Sequence, residues 1–177
     1  MIKPKNNIGI LGGTFDPPHN GHLKISNISI NKLKLIKLIW VITKKNPFKK
    51  KPFFSIKERI KKSKKLTRKS KKIQVRYYDQ LIKSSRTINL LKYLKKKNKN
   101  SNLVLIIGSD NLINFHKWKD WKNIIKTTKI VVFSRKDFDA KAKKSVIVKN
   151  VGREKIRFIN NKKINISSSK IRKNYLS

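Results

Sequence analysis

Short apolar runs alternate with amphipathic stretches along the whole chain, and this alternation predicts its elements. Asn7–Leu11, Leu38–Ile42, Ile73–Tyr77, Leu103–Ile107 and Ile130–Phe133 read as strands, with Ser145–Val148 and Ile156–Ile159 as two shorter ones. His22–Leu33, a very basic segment from Ser55 to about Ser70, Thr87–Lys97 and Trp118–Lys126 read as helices, and Ser167–Tyr175 as a closing helix. In Thr87–Lys97, Ile88, Leu91 and Leu94/Lys95 recur on one side. Ser55-Ile56-Lys57-Glu58 has the S-x-x-E spacing of a capping box, which marks a helix start. Asn46–Phe54, with Pro47 and Pro52 among lysines, reads as a loop.

Strands separated by helices at this spacing imply βαβ units. The expected fold is α/β: a Rossmann-like, doubly wound parallel sheet with helices on both faces, in a single domain over residues 1–177. Such sheets bind ligands at the carboxyl ends of their strands, where the strand order reverses. Three segments fall at such ends: the glycines after the first strand, Gly108-Ser109-Asp110 after the fourth, and Ser134-Arg135 after the fifth.

The stretch Gly12-Gly13-Thr14-Phe15-Asp16-Pro17-Pro18-His19-Asn20-Gly21-His22 carries the densest chemistry. Four of the six glycines (Gly9, Gly12, Gly13, Gly21) and two of the three histidines lie between residues 9 and 22. A strand that ends in glycines and runs into a helix turns backbone N–H groups toward a phosphate. Two histidines three apart at that helix start face the same ligand. The stretch reads as a nucleotide-phosphate site. It is not a P-loop, because the chain has no Gly-Lys pair, and it is not the dinucleotide fingerprint G-x-G-x-x-G.

Composition removes other classes. Without cysteine there is neither a disulfide framework nor a thiolate metal site. The longest apolar runs are five residues, far short of a membrane span, and Met1-Ile2-Lys3-Pro4-Lys5 is followed by too short an apolar run for a signal peptide. A cytoplasmic protein is expected. The formal charge of +40 comes from 48 basic and 8 acidic residues. Only 8 of the 48 basic residues are arginine, and Lys, Asn and Ile abound, as AT-rich codons would supply. Base-reading proteins lean on arginine, and no aromatic stacking motif accompanies the lysines. Compositional drift is therefore preferred to a dedicated nucleic-acid interface, with weak non-specific binding expected at low salt.

The pattern G-G-T-F-D-P-x-H-x-G-H resembles the signature of the nucleotidyltransferase superfamily, and within it the bacterial nicotinate-nucleotide adenylyltransferases. Further blocks follow in order. Asn46-Pro47-Phe48-Lys49 resembles the family's Pro-x-Lys loop, and Ser85-Arg86-Thr87-Ile88 its Ser-Tyr-Thr segment, with Arg86 where tyrosine is usual. Gly108-Ser109-Asp110-Asn111-Leu112 with Phe115 and Trp118 resembles the G-x-D block, and Ser134-Arg135 matches a strand-end arginine. Ile166-Ser167-Ser168-Ser169-Lys170-Ile171-Arg172 resembles the terminal I-S-S-T-x-I-R block, with serine for threonine. After Arg172 family members continue into a glycine-containing turn and helix, whereas this sequence reaches Ser177. The expectation is that catalysis survives this departure, while packing at that edge and any oligomer contact built from it stay open.

The resemblance implies transfer of AMP from ATP to nicotinate mononucleotide, giving deamido-NAD and pyrophosphate in the course of NAD biosynthesis. Mg²⁺ would be bound mainly through the ATP phosphates. His19, His22 and Arg172 are then the candidate catalytic residues. Gly12, Gly13, Thr14, Phe15, Gly108, Asp110, Arg135, Ser168 and Ser169 are candidates for ATP, and Thr87, Trp118 and Lys49 for the mononucleotide. Several residues have a plain structural alternative. Asp110 is either a ribose acceptor or a helix N-cap; Trp118 either stacks on the pyridine ring or is a core tryptophan beside Trp121. Asp16 is read as bracing the turn, and His116 as structural. Arg86 either pairs with the nicotinate carboxylate or faces solvent. No resident metal is expected, since two histidines and one carboxylate make a poor closed zinc site. The rival enzyme is pantetheine-phosphate adenylyltransferase, whose first motif resembles G-T-F-D-P-x-T-x-G-H with threonine in place of His19. A rival of another class is a non-catalytic nucleic-acid-binding relative.

Overall fold

The computed structural model describes residues 6–46, 51–135, 137–151, 155–160, 166–173 and 175. Its strands are β1 (Asn6–Gly13), β2 (Leu35–Ile42), β3 (Ile73–Tyr77), β4 (Ser101–Gly108), β5 (Lys129–Phe133) and β6 (Ile156–Ile159). All neighbours pair in parallel, in the order β3-β2-β1-β4-β5-β6. This is the doubly wound sheet expected from the apolar pattern.

Period-two alternation divides each central strand between two cores. Ile8 and Ile10 of β1, Ile39 and Val41 of β2, and Leu103, Leu105 and Ile107 of β4 face one core. Leu11, then Leu38, Trp40 and Ile42, then Val104 and Ile106 face the other. Helices α1 (Asn20–Lys32) and α2 (Ile56–Thr67) cover the second face. On the first face lie α3 (Thr87–Lys97), the short α4 (Ser109–Ile113), α5 (Trp121–Thr127), the short α6 (Asp139–Lys143) and α7 (Val146–Asn150). Helix α8 (Ser168–Lys173) contributes no buried residue. Among the described residues, no helix is long and apolar enough to cross a membrane.

The order of strands sets the site. β1 lies between β2 and β4, so the connections leave its two sides in opposite directions and open a crevice beyond its carboxyl end. Gly12 and Gly13 close β1 there, and Gly108 closes β4.

Two expectations are corrected. Ser145–Val148 does not form a strand: residues 146–150 are helix α7. Both sides of the preceding strand β5 are taken by β4 and β6, and the segment instead buries Ile147 against the core that holds Leu112 and Phe115. The helix expected from Trp118 starts only at Trp121, because Asp120 adopts a left-handed backbone (φ 60°) that interrupts the helical path. Trp118 instead ends a 3₁₀ turn over Phe115–Lys117.

Candidate active site

The chain leaves β1 through Thr14 and enters α1 at His19. Phe15 makes the turn in a left-handed conformation (φ 48°), a costly state for a bulky residue. Its ring is 2% exposed and stacks on Trp40 at 4.8 Å, with His22 also at 4.8 Å. Trp40 is itself tied to α1 by its Nε1–H, which donates to Ser26 Oγ at 2.7 Å. Packing of this kind over-determines the turn and holds the strained backbone in place.

His19 and His22 cap α1 reciprocally. The Gly21 N–H donates to His19 Nδ1 (3.1 Å), and the His19 N–H donates to His22 Nδ1 (3.2 Å). Their ring centroids are 3.9 Å apart. A ring nitrogen that accepts a hydrogen bond carries no proton, so Nε2 is the donor nitrogen of each imidazole. His19 is 7% exposed, and burial, helped by the charge of Arg135, lowers its pKa from 6.5 to about 4. At neutral pH it is an uncharged donor. An imidazole in that state can hydrogen-bond a phosphate oxygen without a proton changing hands.

Asp16 is 3% exposed and braces the turn. Its carboxylate accepts from Phe54 N–H (2.8 Å) and Phe53 N–H (2.9 Å) and receives Arg172 Nη1 at 3.3 Å. Arg172 also donates to Asp16 O (2.6 Å) and, through Nη2, to Ser169 Oγ (3.1 Å), while Ser168 Oγ donates to Pro17 O (2.9 Å). The terminal block expected to hold phosphates thus docks directly on the first motif. Tyr175 adds an edge-on contact with Phe54 at 5.3 Å.

Across the crevice, Asp110 and Arg135 pair side-on: Nε to Oδ1 and Nη1 to Oδ2, both 3.4 Å. The Arg135 N–H is held by Ser109 Oγ and Asp139 Oδ1, each at 3.0 Å. A Cβ at Gly108 would meet Asp110 Oδ1 and would lie 2.9 Å from Arg135 Nε, so this position is glycine because the ion pair passes over it. A Cβ at Gly12 would meet nothing within 4 Å; space there lies toward the crevice.

Between the two sides lies a cavity of about 580 Å³, within the range of ligand pockets. Gly12, Gly13, His22, Thr87, Gly108, Trp118 and Arg135 line it, together with Arg86 and Asp79. His19 is not a wall residue but lies ring to ring with His22. Thr14, Phe15, Asp110, Ser168, Ser169 and Arg172 are not among its walls, and Lys49 lies outside the described residues. Trp118 stacks one face on Phe115 (4.7 Å) while lining the cavity, so it is at once a core-packed and a cavity-facing ring. Thr87 begins α3, whose N-cap, Arg86, makes no side-chain cap. Among the described residues no three histidines or carboxylates gather as a metal cage. The carboxylates of Asp16, Asp79 and Asp110 are each engaged by an N–H or a guanidinium.

Sequence reading passed over Arg59 and Trp40. Arg59 is 2% exposed, inside a helix otherwise crowded with lysine. Its guanidinium donates to four carbonyls: Phe54 (3.1 Å), Thr14 (2.7 Å), Thr43 (2.8 Å) and Lys44 (3.1 Å).

Residues 10–174 match the family model described as cytidylyltransferase-like. A chain from Pelagibacter ubique (strain HTCC1062), named for nicotinate-nucleotide adenylyltransferase, is 48% identical over 98% of this chain and 99% of its own. One of the same name from Rhizobium meliloti (strain 1021) is 36% identical over 72% of this chain and 68% of its own. The solved structure of the Plasmodium falciparum nicotinic acid mononucleotide adenylyltransferase complexed with NaAD superposes with a TM-score of 0.74, covering 95% of this chain and 83% of that one at 23% identity. The chain belongs to the cytidylyltransferase-like family and, within it, to the nicotinate-nucleotide adenylyltransferases.

Proposed function

We propose that this chain transfers the adenylyl group of ATP to nicotinate mononucleotide, giving deamido-NAD and pyrophosphate. The observation that carries the reading is the pair of reciprocally capped imidazoles at the carboxyl end of β1, at the point where the strand order reverses. The full-length likeness to a relative of that name supports the choice of substrate.

The reaction needs no protein nucleophile. A phosphate oxygen of the mononucleotide attacks the α-phosphorus in line, the new P–O bond forms, and the bond to pyrophosphate breaks. The protein's task is to align two polyanions and hold donors where negative charge spreads. His22 and His19 serve as Nε2 donors to the triphosphate, and Arg172 and Arg135 supply positive charge. Gly12, Gly13, Thr14 and Phe15 bring backbone close to the phosphates, and Asp110 accepts from the ribose. Ser168 and Ser169 hold Arg172 and Pro17 in register for the same task. On the other side Thr87 offers its N–H to the nicotinate carboxylate, and Trp118 stacks on the pyridine ring. Mg²⁺ arrives as part of the ATP substrate, bound mainly through its phosphates. We assign the enzyme to the cytoplasm.

Purified protein with ATP and Mg²⁺ is expected to release pyrophosphate when given nicotinate mononucleotide. Its kcat/KM for that substrate should exceed that for nicotinamide mononucleotide. Turnover with phosphopantetheine alone would overturn the assignment.

A further inference from the structure

The chain carries eight arginines among 48 basic residues, and the rest are lysine. An arginine buried in such a background needs a reason that a lysine could not meet. Arg59 has one. Its four acceptors come from three places: Thr14 just after β1, Thr43 and Lys44 just after β2, and Phe54 just before α2. A planar fork with five N–H donors can span them, whereas a lysine ammonium is a single point with three donors.

The Thr14 bond has a geometric consequence. Thr14 C=O and Phe15 N–H belong to one planar peptide unit and point in opposite directions when it is trans. Fixing the oxygen on Arg59 Nη1 therefore fixes the direction of the Phe15 N–H, at the residue where the backbone is left-handed. Two of the other acceptors are tied at a second point as well. The Thr43–Lys44 peptide has its oxygen on Arg59 and its N–H on Asp79 Oδ2 (2.9 Å). Phe54 gives its oxygen to Arg59 and its N–H to Asp16, the carboxylate that receives Arg172.

We propose that Arg59 is a positioning residue for adenylyl transfer: it aims the Phe15 N–H at the triphosphate and, through Phe54 and Asp16, keeps Arg172 in register with it. The inference rests on the adenylyltransferase reading for its reaction but not for its binding test. It concerns the ATP side alone, so the mononucleotide side should be spared.

The test compares wild type with Arg59→Lys at a temperature well below both melting midpoints, with circular dichroism to verify folding. The variant should lose about tenfold in kcat and raise the ATP KM several-fold, while the KM for nicotinate mononucleotide stays within about twofold. Binding of a non-hydrolysable ATP analogue, measured by calorimetry, should weaken in parallel. A variant that melts earlier but keeps wild-type kcat, both KM values and analogue affinity would reduce Arg59 to a structural role and overturn the proposal. If Arg59→Lys does not fold, the wild type decides by NMR. Saturation with the analogue should shift the Phe15 amide resonance downfield, and an unmoved resonance overturns the proposal. Should wild type fail to use nicotinate mononucleotide at all, the functional reading falls while the analogue-binding comparison still judges Arg59.

Discussion

The β1–β2 side of the crevice and the β4–β5 side hold their polar groups in different ways. On the first side Asp16, His19 and Arg59 are each less than a tenth exposed, and their partners are backbone amides and carbonyls and, for Asp16, the Arg172 guanidinium. On the second side the side chains of Arg135 and Asp110 are 40% and 16% exposed and share one long ion pair. Short helices and a 3₁₀ turn carry that side, where α1 and α2 brace the first. The contrast matches two tasks. Donors that stabilise charge in a transition state must be fixed before the substrate arrives, because reorganising them would cost part of the gain. Groups that grip a ribose or a ring can adapt on binding.

Breaking the rigid side should cost the most. His19→Ala is expected to lower kcat by about two orders of magnitude or more, the range seen for loss of a transition-state donor. It also removes the α1 cap, worth about 1 kcal/mol of stability. His19→Asn separates the two effects: its side-chain oxygen can cap Gly21 while the Nε2 donor is gone. Recovery of the melting temperature without recovery of kcat is the expected pattern; recovery of both would remove His19 from the chemistry.

On the adaptable side the losses should be smaller and should fall on binding. Gly108→Ala pushes a methyl into the Asp110–Arg135 pair. Losing one charge-assisted contact to ATP costs about 2 kcal/mol, so the ATP KM should rise roughly 30-fold with kcat changing less. Trp118→Ala should raise the KM for nicotinate mononucleotide about tenfold, the worth of one aromatic stack, and leave the ATP KM alone. Steady-state kinetics with each substrate varied in turn checks both. If either variant lowered kcat as far as His19→Ala does, the two sides would not divide the work as described.

The same division explains what was readable in the sequence. Gly12–His22 is contiguous, so one strand, one turn and one helix start put its groups together, and residue spacing is enough to see it. The doubly wound sheet was equally legible, because period-two alternation in β1, β2 and β4 serves two cores at once. Arg59 was not legible, since spacing alone makes it one more cation in a lysine run; its role depends on carbonyls up to 45 residues away. Trp40 likewise looked like one apolar residue among five. The break before α5 depends on the single left-handed residue Asp120, which leaves the apolar period of its neighbours unchanged. The rarity of arginine was the one available signal. Arg59, Arg135 and Arg172 each make contacts that need a fork.

The smallest effect probes the rigid side through protons. Burial, with the Arg135 charge, lowers the His19 pKa to about 4 from an unfolded value of 6.5. Between those two values the unfolded chain takes up a proton that the folded chain refuses, so acid favours unfolding. The stability contributed by neutral His19 is complete above pH 6.5, declines as pH falls through that window, and is gone at about 4. Urea midpoints for wild type should therefore drop between pH 6.5 and 4.5 more steeply than those of His19→Asn, which has no imidazole to protonate. The difference is expected on the order of 1 kcal/mol, allowing for the solvent that reaches the ring. Trp118→Ala, which leaves the β1 turn untouched, should keep the wild-type slope, and carboxylates titrating in the same range cancel from both comparisons. Parallel slopes for wild type and His19→Asn would mean that the imidazole is not held neutral by its surroundings, and the case for a pre-set donor on the β1 side would weaken with it.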